Sequence, residues 1–362
     1  MKNNILILGS TGNLGDKLFK YCIKNNIYDL SITAYKNKRK LHKQKDYLKN
    51  KNYFCLSFES EIEKFIKFIK TKKFKIIYFL DYGAKSLIYL DILIKNNKNS
   101  IFAMANKELI IAGGNLILNK FKYYNHKLIP LDSEHFSLFR SWPKNHEIEK
   151  IFITASGGPF YFKPKIDLSK VTFKNVINHP KWKMGYNNSI DSSNFINKVL
   201  EIFEVSIIYN LDISKIDFLI SKEAYIHSLV CYNDKTVSIN CFPNDMLISL
   251  VKPLNYCFKL PRLHITNTKY LNFINLKLER QNDKRFKIFK YLKQIKKFDH
   301  KKRIKFMILN NIAHKKYING LLEYNNIIDY IMNNINDEIN INLNNFKNIV
   351  SYINKINLEY NK

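Results

Sequence analysis

Paired cysteines are what this 362-residue chain most lacks. Its five thiols, Cys22, Cys55, Cys231, Cys241 and Cys257, form no CxxC pair and are odd in number. That argues against a disulfide framework and for a reducing compartment, the cytoplasm by default. Long hydrophobic runs are also missing. Only Ile5 to Leu8 is apolar before Gly9, and no stretch of about 18 uninterrupted apolar residues occurs elsewhere, so neither export nor membrane insertion is expected. Acidic residues are the third shortage: 30 Asp and Glu face 60 Lys and Arg, a formal charge of +30. Such an excess invites nucleic-acid binding through phosphate contacts. The lysines, however, are spread among Asn and Ile, as in 36–51, 96–99 and 333–345, and no basic stripe with interleaved aromatics stands out. The bias reads as compositional drift with a solvated lysine surface, and no nucleic-acid partner is expected.

What is present suffices for several cores, since 46% of the residues are hydrophobic. Apolar runs at Ile5 to Leu8, Leu30 to Ala34, Lys75 to Leu80 and Ser100 to Ala105 alternate with amphipathic stretches. That order predicts an α/β chain whose residues 1–131 form an N-terminal Rossmann-type doubly wound parallel sheet. Residues 132–256, with glycine turns, a long helix after Asp191 and the β-branched run Thr236 to Asn240, predict an α+β catalytic domain. A linker over 257–284 and a C-terminal helical domain over 285–362, with apolar residues at helical spacing, complete the expected organisation.

Gly9, Gly12 and Gly15 follow a strand and precede a helix start. They permit a tight turn and close backbone approach to a pyrophosphate at a helix N-terminus. An ordinary strand-to-helix turn is the plain alternative. After the second strand an NAD site would carry an acid for the ribose hydroxyls, whereas this chain has Lys36-Asn37-Lys38-Arg39-Lys40. Those cations suit the 2′-phosphate of NADPH.

Further on, Leu131-Asp132-Ser133-Glu134-His135 ends an apolar run with two acids two residues apart. In an extended segment both project to one side and can share a hard divalent cation; a plain surface strand end fits as well. The stretch from Asp191 to Glu204 predicts a helix capped by Asp191 or Ser192, with Ile196, Val199, Leu200 and Phe203 on one face. Its other face carries Asn194, Asn197, Lys198 and Glu201, either a solvated surface or phosphate donors followed by a metal ligand. Thr154 to Phe160 is a small hydroxyl-bearing turn suited to an anion. His179 to Gly185 puts Trp182, one of two tryptophans, between Pro180 and Gly185, which reads as a lid or as a core-anchored loop.

Taken in order, these segments resemble the signature of the 1-deoxy-D-xylulose 5-phosphate reductoisomerase family of the non-mevalonate isoprenoid pathway. Gly9 to Gly15 resembles the family's Gly-Ser-Thr-Gly-Ser-Ile-Gly turn, and Ala105-Asn106-Lys107-Glu108 matches its Ala-Asn-Lys-Glu. Leu131 to His135 is similar to Val-Asp-Ser-Glu-His, and Thr154 to Phe160 to Thr-Ala-Ser-Gly-Gly-Pro-Phe. His179 to Gly185 resembles His-Pro-Asn-Trp-Ser-Met-Gly, and Ile190 to Glu201 the helix that opens with Ile-Asp-Ser. Ile226-His227-Ser228 and Asp245-Met246 fit later segments. The likeness covers about residues 5 to 250 and fades in the C-terminal third.

The resemblance implies an NADP-dependent oxidoreductase that needs NADPH and a divalent metal, manganese (Mn2+), magnesium (Mg2+) or cobalt (Co2+). Its substrate would be a small sugar phosphate, rearranged and then reduced to 2-C-methyl-D-erythritol 4-phosphate, and the enzyme a homodimer. Asp132, Glu134 and Glu201 would bind the metal and, with Lys107, carry catalysis. Ser133, Glu134, Ser156, His179, Trp182, Ser192, Asn197, Lys198, Glu201 and Lys107 would contact substrate, with a lid over 179–187 that includes Met184. Gly9, Ser10, Thr11, Gly12, Asn13, Leu14, Lys36, Asn37, Asn106, Glu108 and Gly185 would contact the cofactor. The chain departs from the family pattern at Tyr35, Leu109, Tyr186-Asn187, Ser221-Lys222 and Phe242, none of them among the implied metal or phosphate ligands.

Overall fold

The structure, a computed structural model, describes residues 4–143, 147–177, 185–261, 263, 277–337 and 339–361. The chain divides into two compact units, the first made of Met1–Leu109, Asn115–Arg140 and Asp245–Thr268, the second of Ile110–Gly114, Ser141–Asn244 and Lys269–Lys362.

The first unit is built on six parallel strands, β1 (Ile5–Leu8), β2 (Leu30–Ala34), β3 (Asn52–Cys55), β4 (Ile76–Phe79), β5 (Ile101–Met104) and β6 (Lys127–Pro130). They lie in the order β3-β2-β1-β4-β5-β6, the doubly wound arrangement with a switch between β1 and β4. Strands β1, β2, β4 and β5 are buried at every position, as expected of a parallel sheet covered on both faces. The edge strand β3 is only half-buried. Its mixed Asn-Tyr-Phe-Cys composition gives no periodic signal, and the sequence reading passed over it. The crossovers are α1 (Asn13–Lys24), α2 (Lys38–Lys45), α3 (Glu59–Thr71), α4 (Leu87–Asn96) and α5 (Lys107–Tyr123), and α6 (Ser133–Ser141) follows β6.

The second unit contains a mixed five-stranded sheet in the order β10-β9-β7-β8-β11. Its strands are β7 (Ile148–Ala155), β8 (Ile216–Ile220), β9 (Ile226–Tyr232), β10 (Val237–Cys241) and the short β11 (Glu279–Arg280). Strand β11 pairs with β8, so the end of the stretch read as linker is woven into this sheet. The helices of this unit are α7 (Phe173–Ile177), α8 (Tyr186–Ser193) and α9 (Ile196–Ile208), then α11 (Ile288–Ile295), α12 (His300–Ile318), α13 (Ile327–Asn334) and α14 (Phe346–Tyr360). Helix α10 (Leu247–Val251) belongs to the first unit.

The helix expected to run on from Asp191 is broken. Asp191 and Ser192 close α8 instead of capping a longer helix, and α9 begins after Phe195, whose φ of 67° is left-handed. Ser192, Ser193 and Asn194 are poor helix formers, and the Asn194 side chain accepts the Ile196 amide at 3.0 Å, competing with the helix ladder. Phe195 tolerates its backbone because its ring is buried in an aromatic cluster, with centroids 4.9 Å from Phe286, 5.2 Å from Phe289 and 5.8 Å from Tyr161. A left-handed conformation costs roughly 1–2 kcal/mol, whereas deleting a buried Phe costs about 3–5 kcal/mol. Phe195→Gly should therefore destabilise the protein by about 2 kcal/mol or more in urea unfolding despite relieving the backbone. An unchanged unfolding midpoint would mean that the ring cluster does not hold the break.

Candidate active site

The glycine turn forms as its spacing predicts. Gly9 takes φ 84°, the Gly12 amide donates to Gly9 O at 3.1 Å, and a Cβ on Gly15 would stand 2.1 Å from Gly9 O. Gly15 is thus required for the close approach of α1 to the strand end, while Thr11, Gly12, Asn13 and Leu14 line the helix mouth. Ser10 is buried, its hydroxyl donating to Gln44 Oε1 at 2.7 Å, so this serine ties the turn to α2. The basic run is divided in its use. Lys36 and Lys38 are exposed, each with its ammonium over a neighbouring ring, Tyr35 and Phe58. Asn37 caps α2 by accepting the Lys40 amide at 3.0 Å. Lys40 turns inward to Thr11 O and to Asp16, both at 3.2 Å. Partial burial would raise the Asp16 pKa, but Lys20 and Lys40 outweigh it and hold the carboxyl below its ordinary value.

At the start of α5, Asn106 Oδ1 accepts the Leu109 amide at 3.1 Å while its Nδ2 donates to Asp81 Oδ1 at 3.2 Å and Gly83 O at 3.1 Å. Asp81, which the sequence reading did not single out, sits just past β4 with its pKa raised by burial, against hydrogen bonds from Ser86 and Asn106. Its signal in sequence was a lone acid, indistinguishable from a surface one. Next to Asn106, Glu108 is buried, and Lys107 reaches Asp132 Oδ2 at 3.0 Å.

Asp132 and Glu134 are not on an extended segment. Strand β6 ends at Pro130, Asp132 O accepts the Phe136 amide at 2.8 Å, and Ser133 and Glu134 form the first turn of α6. Asp followed by Ser favours a helix start over a continuing strand. The Ser133 hydroxyl donates to Glu134 Oε2 at 2.6 Å. Burial would raise the Asp132 pKa, but the Lys107 charge and the His135 ring beside it overcome burial and hold the group well below the usual carboxylate range. Its Oδ1 is buried, 3.3 Å from His135 Nδ1, and accepts no hydrogen bond among the described residues.

In the second unit the face of α9 read as polar is enclosed. Lys198 is 7% exposed and Glu201 1%. Lys198 Nζ donates to Glu201 Oε2 at 2.5 Å, and Asn197 Nδ2 donates to Oε1 of the same carboxylate. Ser156 stands half-buried before Gly157 and Gly158, both at positive φ. A Cβ on Gly158 would lie 2.7 Å from Ser192 O, so the Ser156 turn and the end of α8 are in direct contact. Gly185 opens α8. His179, Trp182 and Met184 lie outside the described residues.

The model of the 1-deoxy-D-xylulose 5-phosphate reductoisomerase C-terminal domain matches residues 128–209. The 1-deoxy-D-xylulose 5-phosphate reductoisomerase of Pelagibacter ubique is 32% identical over 346 residues, covering 89% of this chain and 88% of that protein. The chain belongs to the 1-deoxy-D-xylulose 5-phosphate reductoisomerase family. Solved reductoisomerases share its fold. The Zymomonas mobilis enzyme in complex with NADPH superposes with TM-score 0.82 at 20% identity, over all of this chain and 98% of that one. Another, in complex with NADPH, fosmidomycin and magnesium, gives 0.82 at 19% identity over 99% and 97%.

Within this chain the departures from the family pattern have local homes. Leu109 is fully buried, and Phe242 stacks on His227 with centroids 4.0 Å apart. Tyr35 and Tyr186 are exposed. A residue that sequence reading missed holds the chain behind the Ser156 turn. The Arg285 guanidinium donates to Phe160 O and Tyr161 O at 3.3 Å, Lys163 O at 3.0 Å and Ile166 O at 3.3 Å, and Asp283 sits 2.6 Å from it. Backbone carbonyls leave no trace in a sequence, and one more cation in a basic chain attracts no notice. Arg285→Ala should cost about 2–4 kcal/mol in chemical unfolding, because carbonyls and Asp283 lose their donor together. A loss below about 0.5 kcal/mol would show that water replaces the guanidinium freely.

Proposed function

We propose that this chain is an NADPH-dependent 1-deoxy-D-xylulose 5-phosphate reductoisomerase, converting that ketose phosphate to 2-C-methyl-D-erythritol 4-phosphate for isoprenoid precursor synthesis. The observation that carries the reading is the enclosed Lys198 and Glu201 pair, with Asn197 beside it, in a chain of this family. An ammonium and a carboxylate are costly to keep in a packed interior. A site that takes a phosphate and a cation gives both of them a use.

In this reading residues 1–131 carry the cofactor, 132–256 the metal and substrate, 257–284 connect, and 285–362 brace the site. The Gly9 to Leu14 turn takes the dinucleotide pyrophosphate, with Asn106 and Glu108 beside it, and Lys36 with Asn37 the 2′-phosphate. Ser156, Ser192, Asn197 and Lys198 donate to the substrate phosphate and its hydroxyls, and His179, Trp182 and Gly185 belong to the covering loop. Lys107 and Ser133 stand at the reacting end, where the Lys107 ammonium offers a proton to a developing oxyanion. Asp132, Glu134 and Glu201 would hold the divalent ion. The donor set fits: all are hard oxygen ligands, Asp132 is kept ionised, and its Oδ1 has a free lone pair. Magnesium, manganese and cobalt all accept such a set. Bound, the ion would supply Lewis-acid polarisation and NADPH the hydride.

The test is loss of NADPH absorbance on adding 1-deoxy-D-xylulose 5-phosphate, with and without magnesium or manganese. Turnover should need both the ion and NADPH, with NADH a poor substitute; folded protein without ion-dependent turnover would overturn the reading. Glu201→Gln should lose at least about a hundredfold in turnover. Because Lys198 then keeps an uncompensated buried charge, some thermal stability should go as well. The decisive readout is that magnesium raises the Tm of the parent but not of the variant.

We further infer a cytoplasmic homodimer. Support comes from β10, an edge strand whose Val237 and Ile239 are 51% and 54% exposed on one face, the kind of edge that another chain covers. The free cysteines suit a reducing compartment, and burial pushes the Cys22 thiol up to about 12, leaving it unreactive. Sedimentation at micromolar protein that returns only monomer would remove the dimer. Recovery outside the cytosolic fraction would remove the compartment.

A further inference from the structure

Ser192 lies between two residues that the C-terminal helices pin in place. On one side Asp191 is 4% exposed, and its Oδ1 accepts Asn310 Nδ2 at 2.7 Å and lies 3.0 Å from His314 Nε2, both from α12. On the other side Ser193 is fully buried, its hydroxyl accepting from Tyr324 OH at 3.0 Å and donating to Ile190 O at 2.7 Å. The second ring nitrogen of His314 is 3.2 Å from Asn187 Oδ1, in the first turn of the same short helix. Ser192 itself is half-buried, with its carbonyl against Gly158.

We propose that Asp191 is a positioning residue: clamped by Asn310 and His314, it fixes Ser192 for the phosphate of the substrate, so that α12 sets phosphate recognition from behind the site. This rests on the reading of Ser192 as a phosphate donor. Helix α8 has eight residues, Tyr-Asn-Asn-Ser-Ile-Asp-Ser-Ser, with little intrinsic helix propensity. A helix so short and so composed does not hold its own position in water; its place comes from tertiary contacts. A buried carboxylate is tolerated only when hydrogen-bonded, and here the hydrogen bond comes from Asn310, with the His314 ring nitrogen in contact beside it, both on one helix in the C-terminal third. Locking both neighbours fixes the backbone at Ser192 and the direction of its Cα–Cβ bond, which is the part of preorganised anion binding that the scaffold supplies.

The test compares Asp191→Asn, His314→Leu, His314→Gln and Ser192→Ala in the full-length enzyme with magnesium and NADPH. The KM for the ketose phosphate and the inhibition constant of inorganic phosphate should both rise about tenfold in Asp191→Asn and His314→Leu, with kcat and the KM for NADPH near the parent values. His314→Gln keeps a polar group close to the position of Nε2 and should restore both constants. Should Asp191→Asn fail to fold, the His314 pair decides. If kcat falls with unchanged phosphate inhibition, or only the Tm falls, the role is merely structural and the proposal fails. If Ser192→Ala weakens phosphate while Asp191→Asn and His314→Leu do not, the positioning step alone is wrong. If Ser192→Ala leaves phosphate inhibition unaltered, the phosphate role of Ser192 and the proposal built on it fall together.

Discussion

The ion pair between Lys198 and Glu201 is the constraint around which the second unit is arranged. Helix α9 is enclosed over almost its whole length, from Ile196 to Ile207, so both charges are largely withheld from water, and each must be answered close by. Glu201 is answered twice, by Lys198 and by Asn197. The chain has to enter α9 at an angle that allows this, and the left-handed Phe195 supplies it. Once Phe195 is in place, its ring draws Phe286 and Phe289 onto the same core. The first unit answers Asp132 in the same way, with Lys107 at 3.0 Å. In a chain with 60 basic residues, it is these enclosed lysines, not the solvated majority, that carry specific information.

What could be read from sequence follows the range of the interactions involved. The strand, glycine turn and helix at 5–24 are set by neighbours within a few residues, and they stand as expected. The central strands were legible because burial on both faces leaves an unbroken apolar run. Edge strand β3 was not, because a half-buried strand writes a weaker pattern. Motif resemblance supplied the residues proposed for the site independently of any backbone reasoning. The extended segment on which Asp132 and Glu134 would share one side does not form, and they sit at a helix start, because Asp and Ser cap helices more readily than they continue strands. The break at Phe195 depends on rings some ninety positions later, and no local rule contains it. Arg285 and His314 were invisible for a related reason: their partners are carbonyls and a distant carboxylate.

The C-terminal third shares little with the family motifs, yet Arg285, Asn310, His314 and Tyr324 all come from it. These contacts run to backbone carbonyls or to single polar side chains, which constrain geometry and leave surface composition open. A helix such as α12 can therefore take Lys, Asn and Ile freely on its outer positions while its inner positions stay tied. The same division accounts for the charge. An exposed lysine on a solvated face contributes little to stability, so such positions tolerate a strongly basic composition. A buried polar group that loses its partner costs about 1–3 kcal/mol, more if charged. The compositional bias is free to act only where burial is low, and the elements behind Ser156 and Ser192 lie where burial is high. A chain can carry a formal charge of +30 and still keep the small set of directed contacts that hold the segments around Ser156 and Ser192.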